Sequence, residues 1–403
     1  MTEKPPLLFL CHRIPYPPNK GDKIRSWHLL DHLADFFTVY LATFVDDPAD
    51  HRYEAIVRAK CADALFIPLS PLRARLLSAR ALLLGEALSL AYYRSDRMQS
   101  WVNAKVQEHM IDRAFVFCSP MIQYLRARTP RAIQGPRVVL DLVDVDSEKW
   151  RQYAVTRRGP IALLYAREAR KLLKAERAAA RQAEHTFLVS AREAELFRGL
   201  APECAASVGY FKNGVASHYF APNSNLINPF FANEVPLVFT GAMDYWPNVD
   251  AVIWFALEVL PMLRKRHPRI VFYIVGSKPT EAVVALADRE DVVVTGRVDD
   301  VRPYLQHAVA AVAPLRVARG IQNKVLEAMA MARTVLASSA GLEGIGAVSG
   351  ETVICCDSPS EYDAAIEQLL QGLYRRVATR ARRFVEDQYS WERNLEPVRE
   401  ALL

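Results

Sequence analysis

The chain has 403 residues, 51% of them apolar and 24% charged, and a formal net charge of +6. That length exceeds one ordinary core and predicts two domains in a folded globular protein. The mild basic excess suits an anionic partner, such as a nucleotide phosphate or a membrane surface. Without a Lys/Arg block or a recognisable module it makes no case for nucleic acid.

The cysteines at Cys11, Cys61, Cys118, Cys204, Cys355 and Cys356 include no Cys-x-x-Cys pair. Several lie in apolar strand-like runs, where a thiol behaves as a small hydrophobe, so a reducing compartment and no zinc site are expected. The first apolar stretch, 7–11, is followed at once by His12, Arg13 and prolines, which is not a secretory pattern. No run of about 18 uncharged apolar residues exists to span a membrane. The nearest, 76–93, is broken by Arg80 and Glu86.

In chain order, strands are predicted at 7–11, 38–44, 64–67, 114–118, 138–143, 186–189 and 207–210. The rhythm restarts at 236–240, 270–275, 292–295, 310–313, 334–337 and 352–355, with helices such as 248–265 and 322–332 between. Short apolar runs alternating with helices predict parallel α/β sheets, here two doubly wound ones. The Asn- and Pro-rich stretch 220–236 reads as their linker. The basic segment 151–184 reads as a solvated helical face. Segment 72–93 mixes leucines with Arg73, Arg75 and Arg80. It suits either core packing or a basic amphipathic helix lying on an anionic membrane.

Candidate chemistry begins at the N-terminus. Gly21, Lys23 and Arg25 follow a proline-rich loop at a helix start, where an anion can be faced. An ordinary turn and helix is the alternative. Asp141, Asp144 and Asp146 cluster at a strand end, which suggests a metal or a base. Strand alternation argues against a metal cage, and none is expected.

The stretch from Pro314 to Gly346 is the most informative. A strand ends at Pro314, a loop carries Arg316 and Arg319, and Gly320 is expected to open a helix. Ligands of open α/β sheets bind beyond the carboxyl ends of strands, and helix N-termini there hold phosphate. Gly320, Lys324 and Glu327, at spacings of four and then three, share one helical face. Gly320 would let a phosphate approach the backbone, and Lys324 would supply a mobile cation for a diphosphate. Glu327, roughly 10 Å from Gly320 at 1.5 Å per residue, would accept two hydrogen bonds from a ribose diol. A surface helix with a weak Lys–Glu pair is equally compatible with the spacing alone.

The run KVLEAMAMARTVLASSAGLEGI from Lys324 resembles the donor-site signature of the family-4 retaining glycosyltransferases. The resemblance extends to Thr240-Gly241-Ala242-Met243 with Pro247-Asn248, to Asn213-Gly214-Val215 with Phe220 and Pro222, and to Gly296-Arg297-Val298. It implies that Glu327 holds the donor ribose and that Gly241 and the Gly341-Leu342-Glu343-Gly344 loop lie near the donor. Where the family has an earlier sugar-contacting Glu, this chain has Arg319. The usual Arg and Lys after Gly241 are missing, so Arg316 and Lys324 are the candidates to grip the diphosphate. Val143 replaces the His of a His-Asp pair and Asp144 is kept as a catalytic candidate.

What the resemblance implies for the whole is a GT-B fold: α/β, two Rossmann-like doubly wound domains facing across a cleft. The first domain would span 1–220, joined by a C-terminal helix at 386–403. A linker at 221–236 and a donor domain at 237–385 would follow. The function implied is retaining transfer from a nucleotide-diphosphate sugar to a glycan or lipid-linked acceptor, with no cofactor and no metal. The Asp144-to-Trp150 stretch and the run from Ala318 look closest to exopolysaccharide transferases of the exosortase/PEP-CTERM-associated subset. A cytoplasmic protein in peripheral contact with the inner face of the plasma membrane is expected. A sugar-nucleotide epimerase and a non-catalytic nucleotide-sugar-binding protein are the competing readings.

Overall fold

A computed structural model describes residues 4–18, 20–70, 81–82, 85–125, 135–318 and 321–403. Arg319, Gly320 and half of segment 72–93, with Arg73, Arg75 and Arg80, fall outside them.

The first sheet contains β1 (Pro6–Cys11), β2 (Thr38–Val45), β3 (Asp63–Pro68), β4 (Arg113–Phe117), β5 (Arg137–Val143), β6 (His185–Leu188) and β7 (Val208–Tyr210). All pairings are parallel, in the order β3-β2-β1-β4-β5-β6-β7. The second sheet contains β8 (Val235–Thr240), β9 (Ile270–Val275), β10 (Val292–Gly296), β11 (Ala310–Ala313), β12 (Val335–Ala337) and β13 (Ile354–Cys355). It too is parallel, ordered β10-β9-β8-β11-β12-β13.

Parallel strands covered on both faces need continuous apolar runs. Leu7, Leu8, Phe9 and Leu10 in β1 are fully buried, as are Leu237 and Phe239 in β8. Each sheet reverses its winding once, between β1 and β4 and between β8 and β11. At such switch points the loops diverge and leave a crevice beyond the strand ends.

The helices that position the groups of interest include α1 (Gly21–Phe36), α2 (Asp146–Thr156), α3 (Pro160–Gln182), α4 (Trp246–Trp254), α5 (Asn323–Ala330), α6 (Arg375–Gln388) and α7 (Trp391–Leu402). The single helix expected at 248–265 is interrupted. α4 passes through a π turn at Phe255–Val259 into a further helix, Leu260–Arg266. Pro261 lacks the N–H that an unbroken α-helix would require there, and the wider turn accommodates it.

Contacts divide the chain into two units, Met1–Lys212 with Glu392–Leu403, and Asn213–Trp391. The second unit therefore begins before the boundary expected at residue 220. The Val215 amide donates to Tyr389 O at 2.8 Å, and the Arg382 guanidinium donates to Phe220 O at 3.1 Å. Phe230 packs in the second core, and residues 386–391 stay with it as well.

Candidate functional site

Gly241 stands immediately after β8, and Pro314 to Ala318 immediately after β11, at the switch point of the second sheet. A Cβ on Gly241 would lie 2.8 Å from Asn248 Nδ2 and 3.4 Å from Lys324 Cε, so only glycine lets these groups meet. A Cβ on Gly276, just after β9, would lie 1.7 Å from the Gly241 carbonyl oxygen. The two strand ends are thus in backbone contact, a crowding that sequence reasoning missed because it is not local.

Asn248, in the first turn of α4, is fixed by its Nδ2 donating to Ala242 O at 2.8 Å. Its Oδ1 accepts from the Lys324 ammonium. Lys324 also lies over the Phe239 ring, 4.6 Å from the centroid, an attractive arrangement for a cation. In the sequence Asn248 stands out only as part of the Pro247-Asn248 pair, with no local signal of a role. Its position under the ammonium makes it a site residue.

α5 begins at Asn323, with Gln322 in extended conformation before it, and not at Gly320. The axial separation that matters is therefore the three residues from Lys324 to Glu327, about 4.5 Å. Val325, Leu326, Ala328, Met329 and Ala330 are buried against the sheet, leaving Lys324 and Glu327 half-buried. Burial pushes the Glu327 carboxyl up to about 7, partly offset by Lys324. Burial pulls the Lys324 ammonium down to about 7, partly offset by Glu327. Neither charge is fully solvated or fully paired, the condition of groups waiting for a polar ligand. One turn before Glu327 on the same face, Asn323 Oδ1 is buried with no hydrogen-bond partner among the described residues.

The remaining donor-side residues are placed differently from the expectation. Arg316 is half-exposed and its guanidinium fork is engaged by Asp250 of α4, with Nε donating to Oδ2 at 2.9 Å. It is therefore not a free cation for a diphosphate. Gly341 packs against β11, where a Cβ would approach Ala313 O at 3.1 Å. Its amide donates to Ser338 Oγ at 3.1 Å, so packing already explains it. Glu343 is exposed in the turn that follows. Gly320 lies outside the described residues.

The N-terminal loop requires correction. Gly21 does open α1, but Lys23 and Arg25 point into the protein. Lys23 is 2% exposed and meets Asp50 at 2.5 Å. Arg25 is 0% exposed, donates to both oxygens of Asp141 at 2.7 and 3.2 Å, and stacks on Phe211 at 3.5 Å. Two desolvated cations with carboxylate partners are satisfied structural groups. The first turn of α1 presents Asp22 instead, which accepts from Arg13 at 2.6 Å.

The three aspartates near β5 also separate. Asp141 belongs to Arg25, while the Lys149 ammonium lies 2.8 Å from Asp144 and 3.1 Å from Asp146. Burial would lower Lys149, but Asp146 and Asp144 together hold it well above the usual lysine range. Asp144 is thus one of two carboxylates that share a single cation, Lys149.

No curated protein matches the chain in sequence. Among solved structures it is similar to the HepE protein of Anabaena in complex with UDP, at 13% identity and a TM-score of 0.66, covering 98% of this chain and 99% of that one. It is also similar to sucrose-phosphate synthase from Thermosynechococcus elongatus, at 17% identity, TM-score 0.69 and 98% coverage of both chains. A third is WaaG, a glycosyltransferase involved in lipopolysaccharide biosynthesis, at 17% identity, TM-score 0.62 and 98% coverage of both. Two parallel-sheet Rossmann-like units and likeness over full length establish a GT-B fold, and residues 234–372, most of the second unit, match the family described as Glycosyl transferases group 1.

Proposed function

We propose that the chain transfers a sugar, with retention of configuration, from a nucleoside-diphosphate sugar to a glycan or lipid-linked acceptor in cell-surface polysaccharide synthesis. The observation that carries this reading is the Gly241–Asn248–Lys324 contact, with Glu327 one turn beyond Lys324, at the switch point of the second sheet. The match of residues 234–372 to group 1 glycosyl transferases and the UDP bound by HepE support it.

Glu327 would receive the ribose hydroxyls, which favour its ionised form. The diphosphate would draw Lys324 from Asn248 and keep it charged. As the bond to the sugar breaks, charge grows on the leaving diphosphate, and a cation already in place stabilises that state more than the bound donor. Arg316 would join only by exchanging Asp250 for phosphate. In the first unit, Asp144 with Lys149 would hold an acceptor hydroxyl. No metal step is proposed: Lys324 would meet the diphosphate, and the Lys149 ammonium lies against both Asp144 and Asp146.

Calorimetric titration with UDP, GDP and ADP tests the donor site. One of them should bind, and Glu327→Ala should weaken it by about 1.5–3 kcal/mol, the contribution of charge-assisted hydrogen bonds. Equal affinity in the variant removes the ribose assignment. Turnover of the matching sugar nucleotide, followed by NMR of the anomeric proton, should show retention and persist in chelator.

A further inference from the structure

The first unit carries an unusual surface of its own on α2 and α3, which are joined by Arg157, Arg158 and Gly159. Between the helices lies an open cavity of about 490 Å³ whose apolar lining includes Ala154, Val155, Leu163, Ala166 and Leu173. Val155 is 76% and Leu163 75% exposed, so the chamber opens to solvent beside leucine and valine side chains left bare. A second cavity of about 310 Å³ adjoins it, lined by Arg170, Leu173, Lys174, Arg177 and Arg181. Arg170 and Leu173 line both, so an apolar chamber runs directly into a cationic one.

The carboxylates of this hairpin do not neutralise the second chamber. Glu168 is turned inward to the backbone N–H groups of Leu88 and Ser89. Glu176 is turned inward to Ser147. Glu148 pairs with Arg151, and Asp146 with Lys149. Glu203 occupies Arg177 at 2.7 Å and lies 4.0 Å from Arg181. Arg170 and Lys174 have no ion-pair partner among the described residues.

A complementary occupant must offer an apolar chain and an anion side by side. An acidic peptide would leave the apolar chamber wet, and an apolar peptide would leave Arg170 and Lys174 unmatched. A nucleic acid has no chain for the chamber. We infer that the α2–α3 hairpin docks on an anionic lipid bilayer and seats one phosphate-bearing lipid, its chain between the helices and its phosphate at Arg170 and Lys174. Exposed apolar residues beside unpaired cations are the combination that holds a helix in the headgroup region. The inference adds a membrane surface to the lipid-linked acceptor proposed above, and it stands on residues separate from the donor site.

Vesicle sedimentation of the full chain tests it, with nucleoside diphosphate titration as an independent readout. The protein should sediment with phosphatidylcholine vesicles containing phosphatidylglycerol, not with phosphatidylcholine alone, and salt should weaken the binding. Arg170→Gln with Lys174→Gln should lower partitioning by about thirtyfold, the factor expected of two cations near such a surface. Val155→Ser with Leu163→Ser should also release the protein. These side chains are exposed, so circular dichroism and nucleotide affinity should not change. Wild-type protein left in the supernatant at low salt overturns the inference. So does vesicle binding that survives both hairpin variants but is lost in Arg73→Gln/Arg75→Gln/Arg80→Gln. Loss of nucleotide binding with lipid binding intact would count against the donor-site proposal only.

Discussion

Near neutral pH, Lys324 and Glu327 oppose each other's solvation cost, and this has a measurable consequence. Glu327, raised to about 7, keeps its proton in the folded chain where the unfolded chain has lost it. Stability therefore falls as pH rises from the ordinary carboxylate range to about 7. Lys324, lowered to about 7, has lost its proton above that pH while the unfolded chain retains it. Stability then rises with pH toward the ordinary lysine range. The second unit should show a shallow stability minimum near neutrality, which urea midpoints from pH 5 to pH 10 would reveal and which Lys324→Met/Glu327→Gln should flatten. A minimum that persists in the double variant assigns the effect to other groups. Both residues were legible in the sequence because they lie on one short helix, where spacing alone sets the face. Lys23 and Arg25 have equally suggestive spacing but partners that no local pattern shows. Asp141 is 116 positions from Arg25. Arg25→Ala should therefore act on folding, leaving Asp141 buried without its cation, at a cost of about 3–5 kcal/mol in urea unfolding. Nucleotide affinity of the folded variant should be unchanged.

Among elements, strands were far more legible than helix starts. A parallel strand buried on both faces must be an apolar run, so β1 and β8 can be read directly. The start of α5 depends on where the chain leaves β11 and on Gln322 staying extended, neither of which has a periodic signal. By composition the stretch 151–184 reads as a solvated face, yet its α3 portion buries Glu168 and Glu176, and these hold neighbouring elements. Glu176 receives the Ser147 amide at 3.1 Å and its hydroxyl at 2.5 Å, joining the start of α2 to α3. Burial pushes this carboxyl up to about 8, against the hydrogen bonds from Ser147. The folded chain thus holds a proton that the unfolded chain releases in the ordinary carboxylate range. Stability must fall as pH rises from there to about 8, by up to about 1.4 kcal/mol per unit. Glu176→Gln removes the titration while keeping a hydrogen-bonding side chain. The unfolding free energy of its first unit should lose that part of the slope and should exceed the wild type's at pH 8. A parallel pH profile in both proteins would exclude Glu176 as the source.

For the whole molecule, two doubly wound units followed from the repeated strand rhythm, but their boundaries depend on contacts far apart in sequence. The chain leaves the first unit after Lys212, completes the second by Trp391, and returns to the first in α7. Leu395, Val398 and Leu402 of α7 are buried. Arg113 of β4 donates to Leu402 O at 3.1 Å, and Arg399 lies over Phe36 of α1 at 4.7 Å. The last helix thus covers apolar surface belonging to the other end of the chain. Ending the protein after Trp391 would remove three buried aliphatic side chains from the first unit. At about 1.5–3 kcal/mol for each, that loss is comparable with the whole stability of a typical domain. Calorimetry should resolve separate transitions for the two units, with the first displaced to lower temperature or lost in the truncated chain. The second should remain and should still be raised by the nucleoside diphosphate that binds the full chain, because Gly241, Asn248, Lys324 and Glu327 all lie within Asn213–Trp391. If truncation instead abolishes the ligand-dependent transition and leaves the other intact, α7 supports the donor unit and the division of the chain is wrong.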